Sequence, residues 1–125
     1  MSNKVELYNI TQDEDNSFIL RAYLNQDGSL TLEGQDFCAL AKDLYGDEEY
    51  EYYYIFDLEN TNKLKILFET DNLLESLKKY FKNKMLLIEF REFCDRNNIV
   101  YNVHIIWKLY FVNCIHMSCM VWLFI

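Results

Sequence analysis

The chain has 125 residues, the size of one domain, and 51% of them are hydrophobic, enough for a core without metal or disulfide staples. Aromatic residues reach 17%, proline is absent and glycine occurs three times, which excludes disordered and collagen-like classes. The net charge of −8 is uneven: residues 1–60 hold 14 acidic against 3 basic side chains, and residues 61–103 hold 6 against 8. Such a first half argues against tracking a phosphate backbone, which needs Lys and Arg, so no nucleic-acid partner is expected. It suits a basic protein partner, or simple solubility.

In chain order, Val5–Thr11 reads as a first strand and Gln12–Ser17 as a polar turn. Phe18–Leu24 is a second strand, with Phe18, Leu20, Ala22 and Leu24 on one face. A three-residue loop from Gln26 to Gly28 pairs Leu24 with Leu30 and Ala22 with Leu32, which keeps the apolar face of the hairpin intact. Gly28 then takes the left-handed position. Asp36 resembles a helix N-cap, followed by Phe37, Leu40, Ala41, Leu44 and Tyr45 at helical spacing and by Gly46 as a stop.

Tyr50–Phe56 reads as a strand with Tyr50, Tyr52, Tyr54 and Phe56 on one side and Tyr53 and Ile55 on the other. That pattern predicts a central strand covered on both faces. Asp57 caps a helix reaching about Phe68, with Leu64, Leu67 and Phe68 inward. Asn72 and Glu75 resemble a capping box for a helix whose apolar face is Leu73, Leu74, Leu77, Tyr80 and Phe81. A last helix carries Leu86, Phe90, Phe93 and Cys94 on one stripe and ends at Asn97-Asn98. Ile99–Trp107 alternates as the final strand. The expected fold is α+β: an antiparallel sheet of about five strands with about four helices packed on it, in the order β-β-β-α-β-α-α-α-β.

Leu32-Glu33-Gly34-Gln35-Asp36, Tyr50-Glu51-Tyr52-Tyr53-Tyr54, Phe90-Arg91-Glu92-Phe93-Cys94 and Ile99-Val100-Tyr101 together resemble a group of small acidic bacterial proteins of unknown function. The resemblance covers roughly Asp27 to Trp107. It implies a stand-alone bacterial domain and no particular activity. Members of that group stop shortly after an aromatic strand, and this chain continues past Trp107.

Chemistry-bearing residues are sparse. Glu33, Asp36 and the acids between Asp47 and Glu51 suggest paired carboxylates, but acid–base work also needs a cleft that shifts their pKa values. His104, Cys114, His116 and Cys119 lack a standard zinc spacing. Cys38 and Cys94 fall on apolar helical stripes and read as packing residues; His104 is the sole candidate base for Cys94. No catalytic residue, metal ligand or cofactor is therefore expected.

The expected function is a non-enzymatic protein-binding module, immunity- or antitoxin-like, with Asp47, Glu48, Glu49, Tyr50, Glu51 and Tyr53 as the partner surface: aromatic groups ringed by acids. The alternatives are an enzyme with an unrecognised carboxylate site and a tail-anchored membrane protein. Met1–Gln12 is polar and mixed and does not read as a secretory signal, so a cytoplasmic chain with reduced thiols is expected.

The domain is expected over residues 1–107, with an apolar tail over 108–125. Residues 105–125 carry one charge, Lys108, and are long enough to span a bilayer. Three readings of that tail stay open: a membrane anchor, a buried element, or a frame-shifted extension read from AT-rich coding sequence.

Overall fold

The structure, a computed structural model, describes residues 4–14, 16–37, 49–107 and 120–122. Six strands are β1 (Val5–Asp13), β2 (Asn16–Leu24), β3 (Leu30–Phe37), β4 (Glu49–Ile55), β5 (Asn102–Trp107) and β6 (Met120–Trp122). The helices among the described residues are α1 (Leu58–Leu67), α2 (Leu73–Phe81) and α3 (Leu87–Arg96). Every strand pairs antiparallel with its neighbour in sequence, so the sheet order is β1-β2-β3-β4-β5-β6. All three helices lie between β4 and β5, which are adjacent. The chain leaves the sheet, lays helices over it, and returns beside the strand it left.

The hairpin between β2 and β3 has the register expected from the apolar pattern: Leu24 faces Leu30 and Ala22 faces Leu32. Gly28 donates its N–H to the Asn25 carbonyl at 2.9 Å and has φ of 92°, a backbone state that glycine adopts at no steric cost. Strand alternation then sorts the side chains. Tyr8, Leu20, Ala22, Leu32, Tyr52, Tyr54 and Val103 are buried on one face, under Leu74, Leu77, Phe81, Phe90 and Cys94 of the helices. Gly34 faces Tyr52 across β3 and β4, and a Cβ at Gly34 would overlap the Tyr52 ring. Glycine there lets the ring lie flat on the strand.

Asp36 and Phe37 do not begin a helix. Both are strand residues, paired to β2 on one side and β4 on the other. Two ladders of backbone hydrogen bonds outweigh the local capping preference of a single Asp. The rest of the helix expected up to Gly46, with Cys38, lies outside the described residues.

β4 is central, as expected; Tyr52, Tyr54 and Phe56 are buried on one side, and Tyr53 and Ile55 are half-buried on the other.

The helix caps follow the sequence. The Asp57 carboxylate accepts from the Asn60 N–H at 2.9 Å, and Asn72 accepts from the Glu75 N–H at 3.2 Å. The Asn72 N–H itself donates to Thr70 Oγ1, at 2.9 Å. The inner face of α1 differs from its expected apolar face. Leu64 is fully buried, but Leu67 is 41% exposed and Asn60 and Thr61 take inward positions. Thr61 Oγ1 accepts from the Leu30 N–H at 2.9 Å and donates to the Asp57 carbonyl at 2.8 Å. Asn60 Oδ1 accepts from the Val100 N–H at 2.8 Å. These bonds satisfy backbone groups where the chain enters β3 and approaches β5, a task that no apolar side chain performs.

Aromatic rings fill the space between the layers. Phe90 lies 5.6 Å from Phe81, 5.9 Å from Tyr80 and 6.3 Å from Phe56, centroid to centroid. Among the described residues no helix is long and apolar enough to cross a membrane.

Candidate functional site

Helices cover one face of the sheet, and the alternate residues of each strand build the other. Register places Glu6 beside Arg21, Arg21 beside Glu33, Glu33 beside Tyr53 and Tyr53 beside His104, one row running across five strands. The next row holds Asn9, Ile19, Gln35, Glu51 and Ile106. Tyr23 and Ile55 flank Thr31 in a third. Ile19, Tyr23, Tyr53, Ile55 and Ile106 are all half-buried, and no described helix packs over them.

Charges on this face are arranged in pairs. Lys4 Nζ lies 3.2 Å from Glu33 and 5.0 Å from the centre of the Tyr23 ring. Arg21 lies 3.6 Å from Glu33 and 4.0 Å from Glu6. Glu33 thus sits between two cations with its side chain 21% exposed. Pairs this exposed contribute about 0–1 kcal/mol each, so they order the surface more than they stabilise the fold. The Tyr53 hydroxyl donates to Glu51 Oε1 at 3.1 Å. Burial, then the Glu51 carboxylate beside it, pushes the Tyr53 phenol up to about 12.

Of the residues expected to form the partner surface, Glu51 and Tyr53 are neighbours on this face opposite the described helices, joined by that hydrogen bond. Glu49 belongs to the same alternate set along β4, whereas Tyr50 pairs with Asp36 and Trp107 in the other set. Asp47 and Glu48 lie outside the described residues. Sequence reading missed Lys4, Arg21 and Tyr23. Their signal is the β2–β3 register, which brings Arg21 opposite Glu33 once Leu24 and Leu30 are paired.

Among the described residues Glu33 and Asp36 do not converge. Glu33 and Asp36 are three residues apart on one strand and fall in opposite sets; Asp36 accepts from the Tyr52 hydroxyl at 3.4 Å. The covered face carries a second polar group. Arg91 Nε donates to the Tyr101 hydroxyl at 3.4 Å, and its guanidinium lies 5.6 Å from the centre of the Tyr54 ring. Cys94 is fully buried beneath α3, and burial raises its thiol to about 12. His104 stands in the row of Tyr53, across the sheet from Cys94, so the two cannot act as a nucleophile and its base.

Among the described residues no three His, Cys, Asp or Glu side chains gather as a metal site. Cys114, His116 and Cys119 lie outside the described residues. A shallow hollow lined by Asn62, Lys65, Ile66, Thr70 and Asp71 opens at the end of α1, away from both polar groups. Comparison of the chain with protein-family models, with curated proteins and with solved structures returned no match.

Proposed function

We propose that the chain is a non-enzymatic protein-binding domain that engages a basic protein through the sheet face opposite its helices. The observation that carries this reading is the surface itself. Tyr23, Tyr53, Ile19 and Ile106 stay half-exposed on a sheet face that no described helix covers, among Glu6, Glu33 and Glu51. Partly buried aromatic and aliphatic groups within a polar frame are the composition of an interface core and its rim. The excess of acid in residues 1–60 gives the chain a long-range preference for a cationic partner. An immunity- or antitoxin-like neutraliser of a basic toxin is the biological form that fits this chemistry, and a bacterial cytoplasm is its setting.

The test is capture of partners from the native host on the immobilised full chain, eluted in salt steps. A basic protein held at low salt and released as salt rises is expected, because steering between exposed charges is screened beyond about 10 Å at 0.1 M. Nucleic acid is not retained. Retention indifferent to salt, or salt-sensitive retention of DNA or RNA, contradicts the reading.

A further inference from the structure

Edge strands expose unpaired backbone groups, and β1 is an edge of this sheet. Its outer side is occupied at one point by a single residue. The Asn83 backbone N–H donates to the Leu7 carbonyl at 3.2 Å, and the Asn9 N–H donates to Asn83 Oδ1 at 2.8 Å. In a parallel ladder, a residue opposite position i donates to the carbonyl of i−1 and accepts from the N–H of i+1. Asn83 fills both places around Tyr8, with its side-chain carbonyl standing where a strand would offer a backbone carbonyl.

The surrounding geometry holds it there. Asn83 has φ of 57°, in the left-handed region that Asn tolerates better than most residues. It follows Lys82, the left-handed C-cap of α2, so its position is fixed by that helix. Leu73, Leu77 and Phe81 anchor α2 in the core over β1 and β2.

We propose that Asn83 is an edge lock: it occupies the hydrogen-bonding positions on β1 that a second copy of this chain would use, and so prevents the sheet from extending by self-pairing through that edge. The lock lies at the sheet edge, apart from the face opposite the described helices, and it holds whether or not that face binds a partner.

Two measurements test it on the full chain. Amide exchange should find the Asn9 N–H protected although it lies on an outer edge. In Asn83→Gly, which keeps the left-handed backbone and the donor to Leu7 but lacks the acceptor, Asn9 should exchange about fivefold faster, as loss of one ordinary hydrogen bond implies. Sedimentation of Asn83→Gly should then show concentration-dependent association, with the Asn9 N–H regaining protection in the associated form. Asn83→Asp keeps an acceptor at the same place and should behave as the native chain. The proposal is overturned if Asn9 in the native chain exchanges like an unbonded amide. It is overturned equally if Asn83→Gly exchanges faster without associating, or if Asn83→Asp associates as Asn83→Gly does.

Discussion

Tyr8 and Tyr53 show how much a residue's chemistry depends on partners distant in sequence. Tyr8 is 2% exposed, and burial pushes its phenol up to about 12 against the pull of a hydrogen bond with Tyr52; the charges of Asp36 and Tyr54 push the same way as burial. Tyr53 reaches about 12 on the other face, through burial and Glu51. A phenol with a raised pKa holds its proton more tightly folded than unfolded. That stability is complete below the ordinary value of 10.0 and is lost as pH rises toward about 12. Stability is therefore expected to stay level up to about pH 10 and fall from there to about 12, with the fall shallower in Tyr8→Phe. Ultraviolet titration should show phenols that ionise only in that upper range while the chain stays folded. Uniform titration near 10 with no alkaline loss would contradict it. The alternation of Tyr50 to Phe56 was legible as a stripe. That Tyr52 lies on Gly34, or that Tyr8 reaches Tyr52, was not, because both facts depend on register across several strands.

Among the helices, legibility followed apolar periodicity. The face of α2 is as the spacing indicates, with Leu73, Leu74, Leu77 and Phe81 all buried and Tyr80 half-buried against Phe68. On α1 the same reasoning put Leu67 inside, where the structure has Thr61 and Asn60. Polar residues that bond backbone groups on other elements carry no period, so hydropathy cannot find them. The Asp36 cap failed for the converse reason: a sound local signal met a residue already paired on both sides. Leu77→Ala is expected to cost about 2–5 kcal/mol, because Leu77 is fully buried between α2 and the sheet. Phe93→Ala should cost less, since Phe93 is half-buried and its ring meets Phe68 at 5.6 Å near the rim of the core. Denaturant unfolding of the two variants checks the order. A cost for Leu77→Ala below about 0.5 kcal/mol, the scale of surface changes, would place α2 the wrong way round.

Over the whole molecule, the sequence showed strands before helices and one strand after them, enough for an α+β class with helices on an antiparallel sheet. Strand order was not legible; it follows from β5 returning beside β4. Among the described residues the core runs from Leu7 to Val103, and β6 pairs with His104, Ile105 and Ile106. Because the apolar patterns of the sequence close at Trp107, a chain ending there is expected to keep a cooperative thermal melt, and loss of that melt would show that the later residues complete the core. The described helices gather on one face, and the proposed docking surface is the other. The most direct test compares Glu51→Lys and Tyr53→Ala with Lys78→Glu on the exposed side of α2, measuring both thermal melting and capture of the basic partner. All three are expected to melt within a few degrees of the native chain, as exposed or half-buried sites allow. The two β4 substitutions are each expected to weaken capture about tenfold or more while Lys78→Glu leaves it intact. Full capture by Glu51→Lys and Tyr53→Ala, with loss in Lys78→Glu, would put the interface on the helices and contradict the proposed docking surface.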